Sequence, residues 1–155
     1  MAKLGTALHG VPLSDRYESA TLLIKLYELR RDDGLRRARD WFVTEFHPQS
    51  AREVFAMWMG TESARYRMVT SYWDMAASFV NHGAIDADMF HDADLEHVAV
   101  YAKLEPFLAE LRELSRSPTY LAHLERLVLS APDAAERVAR MRRYVEHKAN
   151  TYRRQ

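Results

Sequence analysis

The chain has 155 residues, 48% of them hydrophobic and 28% charged, with zero formal net charge and no cysteine. That is enough chain for one domain with a real core, and the missing thiols exclude disulfides, thiolate metal ligation and a cysteine nucleophile. Met1-Ala2-Lys3-Leu4-Gly5 opens no apolar run of signal-peptide length, and no window approaches the roughly 20 apolar residues of a membrane span, so a cytoplasmic location is expected.

Residues 1–13 read as a loose amino-terminal arm, because Gly10 and Pro12 break any period, and residues 14–155 as a single helical domain. Ser14 or Asp15 is expected to open the first helix, with Asp15 and Glu18 spaced as a capping box. Tyr17, Ala20, Leu23, Ile24 and Tyr27 line one face of it, and Leu22, Leu26 and Leu29 widen that face, which predicts burial on more than one side. The helix should end near Arg31, before Asp32-Asp33-Gly34. Leu35, Ala38, Trp41, Phe42 and Phe46 mark a second helix that stops before His47-Pro48. A third starts after Ser50 and runs through Val54, Phe55 and Trp58 to Gly60.

A long fourth helix opens around Thr61 and carries Val69, Tyr72, Trp73, Ala76, Phe79 and Val80 at the spacing of one buried face. Gly83 suits the left-handed residue that ends it, and Asp86 supplies a cap for the next helix, with Ile85 and Phe90 placed as a hydrophobic staple. A short helix from Asp86 to about His91 precedes a longer one from about Asp94 to Leu114, kinked or broken at Pro106. Ser117-Pro118 reads as a further start, for a helix carrying Tyr120, Leu121, Leu124, Leu127 and Val128. Ser130 and Asp133 stand in a capping-box-like relation before a last helix with Val138, Met141, Tyr144 and Val145 inside. No segment alternates like a strand, and there is no internal repeat or low-complexity tract. The fold expected is an all-α, single-domain bundle of six to eight helices, more than about 60% helical.

The sharpest candidate for chemistry is Asp88-Met89-Phe90-His91-Asp92-Ala93-Asp94-Leu95-Glu96-His97. It holds two Asp-x-x-His units, Asp88/His91 and Asp94/His97, and a spacing of three puts carboxylate and imidazole on one helix face, where they can share a divalent metal. The dipeptide His91-Asp92 resembles the centre of HD-type metal phosphohydrolases, which are helical and use a distant His and Asp; His47 or His82 upstream and Asp133 downstream are the matching positions. In that family the dipeptide lies inside a strongly apolar helix, whereas here it lies at a polar junction. Asp86, Asp92 and Asp94 read there as caps and first-turn acids favoured by helix dipoles. The capping reading is the stronger one, so neither a metal site nor a cofactor is expected. A di-iron bundle would need Glu-x-x-His units, which the chain lacks. There is no glycine-rich phosphate loop, nucleophile elbow or His-Glu-x-x-His motif, and an enzyme is disfavoured.

The neutral charge is unevenly spread. Asp86, Asp88, Asp92, Asp94 and Glu96 crowd an acidic middle, and Arg137, Arg140, Arg142, Arg143, Lys148, Arg153 and Arg154 a basic tail. The two stretches can complement each other within one copy or between copies. Met57-Trp58-Met59 sets three large apolar residues in a row, which no helix buries on one face. Together these point to a homodimer with an apolar centre anchored by Trp58 and flanked by Met57 and Met59, and a charged rim including Arg137, Arg140 and Arg143. A basic helix is also a footprint for nucleic acid, but net neutrality and the lack of a persuasive helix-turn-helix make that partner the weaker expectation.

A first helix of the form Tyr-x-x-Ala-x-x-Leu-Ile (Tyr17 to Ile24) is followed by Leu35-Arg36-Arg37-Ala38-Arg39, the Tyr72-Trp73 helix, the turn His82-Gly83-Ala84-Ile85-Asp86 and Leu104-Glu105-Pro106. This order resembles the bacterial domain-of-unknown-function family numbered 4760, over roughly residues 15–130. Some members carry an amino-terminal membrane helix, which this sequence does not show. The family has no established activity, so the resemblance implies the fold and leaves function to the residues. A preference for arginine over lysine and abundant alanine fit a GC-rich bacterial source. The favoured reading is a non-catalytic helical interaction or regulatory protein that self-associates; the alternatives are an HD-like hydrolase and a nucleic-acid accessory protein.

Overall fold

Hydrogen-bonding caps set most of the element boundaries in the computed structural model, which describes residues 13–154. The helices are α1 (Leu13–Arg30), α2 (Asp33–Thr44), α3 (Ala51–Met59), α4 (Ser63–Asn81), α5 (Ala87–Ala93), α6 (Glu96–Leu104), α7 (Leu108–Leu114), α8 (Ala122–Leu129) and α9 (Ala134–Tyr152). A 3-10 turn, Glu105–Phe107, joins α6 to α7. Pro106 sits in that turn, so α6 and α7 are the two halves of the one long helix expected to break there. Helix accounts for 78% of the structure with no strand among the described residues, and the protein is an all-α bundle.

Asp32 opens α2 by accepting from the amides of Gly34 and Leu35 at 2.9 and 3.1 Å. Ser50 opens α3 by accepting from the Glu53 amide, and the Glu53 carboxylate accepts from the Gln49 amide in return. Asp86 opens α5 through the Met89 amide, with Ile85 and Phe90 both in the core. At the end of α4 the Ala84 amide donates to the Phe79 carbonyl and the Gly83 amide to Val80, while Gly83 takes φ +76°. That is a Schellman closure on a left-handed glycine.

Other boundaries differ from expectation. α1 already begins at Leu13, so Asp15 lies inside its first turn and does not cap it; the rest of the proposed arm, residues 1–12, lies outside the described residues. Pro118 starts no helix, because the Ser117 amide is used to close α7 on the Arg112 carbonyl. α8 begins only at Ala122, after a left-handed Leu121, and Asp74 on α4 caps it by accepting from the Leu124 amide at 2.9 Å. The Ser130–Asp133 box does not form: Ser130 donates its hydroxyl back to the Leu127 carbonyl, and Asp133 makes no capping hydrogen bond.

α4 is the central helix and packs against α2, α3, α5, α6 and α8, while α9 closes over α2, α6 and α8. Val69, Tyr72, Trp73, Ala76 and Val80 of α4 are buried as expected, but Phe79 is partly exposed, and Tyr66 and Ala77 are buried as well. Along α9 the inner stripe is Val138, Val145 and Ala149, with Met141 half-buried and Tyr144 exposed. Trp41, Phe42 and Tyr66 gather around Phe46, with their ring centroids 4.9–5.6 Å from its own.

The largest departure is α1. Of its residues from Asp15 on, Ser19 and Leu26 alone are fully buried, whereas Tyr17, Ile24 and Tyr27 are 79%, 60% and 59% exposed. The helix is therefore buried on one side, not on several. Polar anchors fix its rotation: the Tyr72 hydroxyl donates to the Leu26 carbonyl at 2.7 Å, the Asp86 amide donates to Ser19 Oγ at 3.0 Å, and Arg30 turns inward to carboxylates.

Candidate functional site

The two Asp-x-x-His units do not assemble a site. Asp94 terminates α5 and Leu95 precedes α6, so Asp94 and His97 do not share a helix. Asp88 and Asp92 are exposed, His91 is half-buried, and His97 is completely buried in α6. The His91 and His97 rings lie 5.4 Å apart, with Trp73 and Phe90 on the other sides of His97 at 5.9 and 5.0 Å. Neither ring nitrogen of His97 has a hydrogen-bond partner among the described residues. Burial, reinforced by His91 and Arg137, lowers its pKa to about 3, and burial lowers that of His91 as well. Both are neutral at pH 7. His47, His82 and Asp133 are engaged elsewhere: His47 with the Thr44 carbonyl, His82 with the Ser78 carbonyl and Asp133 with Arg137. Among the described residues no group of three or more His, Asp or Glu side chains is arranged to hold a metal ion.

The carboxylates of this stretch have a different use. Asp94 pairs with Arg30, and Glu96 accepts from Arg39 Nε at 2.7 Å and Nη2 at 2.5 Å, from Arg30 at 3.4 Å and from the Trp73 indole at 3.3 Å. Arg30 also lies over the Trp73 ring, 5.3 Å from its centroid. The four charged side chains are only 16–19% exposed. Hydrogen bonding to Glu96 raises the Arg39 pKa despite burial, so this guanidinium is charged throughout the physiological range. The cluster ties α1 and α2 to the α5–α6 junction. Within the acidic middle, Asp94 and Glu96 thus pair with Arg30 and Arg39, whereas in the basic tail Arg137 pairs with Asp133 and Arg142 with Glu105.

The expected contact residues are split. Trp58 is half-buried, stacked on Tyr120 at 4.4 Å and near Tyr66 at 5.9 Å, and the Tyr66 and Tyr120 hydroxyls share a hydrogen bond of 2.6 Å. Met57 packs against the core, while Met59 is 70% exposed. Arg140 and Arg143 are exposed and Arg137 is half-buried.

Two features escaped the sequence reading. One is the outward stripe of α1. The other is Lys103, whose ammonium donates to the carbonyls of Phe42 and Phe46 at 2.5 and 2.8 Å, at the carboxy-terminal end of α2 where a cation is favoured. It also lies over both phenyl rings, 5.1 and 5.9 Å from their centroids. Burial lowers its pKa to about 7. The signal was present: a single charge inside Val98-Ala99-Val100-Tyr101-Ala102-Lys103-Leu104, in a chain with few lysines.

Fold and polar clusters together define a helical bundle clamped by a half-buried arginine–carboxylate cluster. The model of a family described as a domain of unknown function (DUF4760) matches residues 17–130, and the chain belongs to that family. The matched span includes the clamp and ends before α9. No curated protein and no solved structure matches the chain. No helix among the described residues is long and apolar enough to cross a membrane.

Proposed function

We propose that this protein is a non-catalytic helical interaction or regulatory module that self-associates through the outward face of α1. The observation that carries the reading is the stripe Tyr17, Ala20, Ile24 and Tyr27, whose three large members are exposed on a helix already anchored by its opposite side. Its three-four-three spacing is that of a coiled-coil seam. An apolar stripe of this kind on a charged surface marks an interaction site. A second copy fits it, because two such helices crossing antiparallel about Leu22 bring Tyr17 against the other Tyr27 and the small Ala20 against the other Ile24. A two-fold interface requires that self-complementarity. Met59, Arg140 and Arg143 are secondary contact points, with Trp58 occupied in its own aromatic stack.

Light scattering across a concentration series tests the reading. A dimer is expected at high micromolar concentration, converted to monomer by Ile24→Glu without loss of helical circular dichroism and left intact by Trp58→Ala. A strict monomer rejects self-association. Stoichiometric zinc or manganese binding abolished by His91→Ala would replace the proposal with the hydrolase reading.

A further inference from the structure

The loop between α2 and α3, the end of α6 with the α6–α7 break, and α9 line a cleft of about 400 Å³. That volume falls within the range of small-molecule sites, which combine apolar walls with a few convergent polar groups. Here the apolar wall includes Phe107, Val145 and Ala149. The charged lining is unbalanced: Lys103, Arg142 and Arg153 face a single acid, Glu146. Arg142 is already paired with Glu105 at 2.6 Å, just outside the cleft. Lys103 and Arg153 remain without a carboxylate partner in any ion pair among the described residues. An ammonium has three donors, and the Phe42 and Phe46 carbonyls take two of those on Lys103, which leaves one. A partly buried cation with a spare donor beside an apolar wall is complementary to an anion attached to an apolar body.

We propose that this cleft binds a small organic carboxylate, with the carboxylate between Lys103 and Arg153 and its apolar body against Phe107, Val145 and Ala149. The carboxylate fits better than inorganic phosphate, because two cations without a carboxylate partner and one acid suit a monoanion and the apolar wall offers phosphate nothing. The site is remote from the α1 stripe and does not depend on self-association.

Amide chemical shifts of the full chain, titrated separately with benzoate, hexanoate and inorganic phosphate, test the proposal. Benzoate or hexanoate should shift the amides of Lys103, Phe107, Val145 and Ala149 saturably, and phosphate should do so more weakly. Lys103→Met should weaken binding about tenfold or more, the change carried by one charge-assisted hydrogen bond. Arg153→Gln, on an exposed residue whose loss leaves the fold intact, should weaken it measurably. No saturable shift with either carboxylate, shifts unchanged in both variants, or tighter binding of phosphate than of hexanoate would each overturn it.

Discussion

His97 sits between Trp73, Phe90 and His91 with both ring nitrogens unpaired, and its proton equilibrium becomes a stability term. The unfolded chain takes up a proton near pH 6.5, but the folded one only near pH 3. The unfolded state therefore binds more protons in between, and stability is full above pH 6.5 and falls as pH drops toward 3. Between pH 6.5 and 5, above the main carboxylate range, His97 should account for a loss of about 2 kcal/mol. Urea denaturation at those two pH values should show the loss in the natural protein and a smaller one in His97→Leu; equal losses would refute it. Glu96 contributes through its ion pair with Arg39. Glu96→Gln leaves Arg39 without its carboxylate, and removing one member of a buried pair costs about 3 kcal/mol. A urea midpoint unchanged in that variant would show the clamp to be energetically idle. The residue types of this cluster were legible in the sequence, but not their partners. A spacing of three implies a shared face only within one helix, and the break at Asp94-Leu95 removes that premise.

The same closure ends two helices, with opposite side-chain chemistry. Gly83 ends α4 at φ +76°, and Arg116 ends α7 at φ 54°, with the Ser117 amide on Arg112 and its own amide on Glu113. A Cβ at Gly83 would meet nothing within 4 Å, so Gly83→Ala should cost only the backbone penalty, about 1 kcal/mol. Arg116→Gly should instead stabilise by about 0.5–1 kcal/mol, or roughly 2 °C in melting temperature. Thermal melts of both variants check the signs, and a lower melting temperature for Arg116→Gly would contradict the backbone argument. Elements with local caps and one apolar face, such as α2, α3 and α4, were readable from the chain alone. α1 was not: apolar residues surround it, and Ser19 and Arg30 on the inward side break the tie. The start of α8 was unreadable for another reason, since its cap, Asp74, lies 50 residues away from the amide it receives.

At the scale of the whole molecule, α1 is the least integrated long helix, packed on α2 and α5 and held by a few polar anchors. Segments with few buried apolar contacts open at low free energy. Amides of α1 up to Leu22 should exchange with solvent faster than those of α4 in dilute protein, and should gain protection as concentration rises. Protection that ignores concentration would separate α1 from self-association. The C-terminal half of the helix should resist longer, because Arg30 is bound to both Asp94 and Glu96.

The guanidinium of Arg30 over the Trp73 ring gives this bundle an intrinsic optical gauge. An indole's emission responds to charge placed against its face, and this charge belongs to α1 while the indole belongs to α4. With Trp41 and Trp58 replaced by phenylalanine, Trp73 would read the seating of α1 in unlabelled protein. A partner that pries the helix away and one that merely clasps its outer stripe would then give different colours of light.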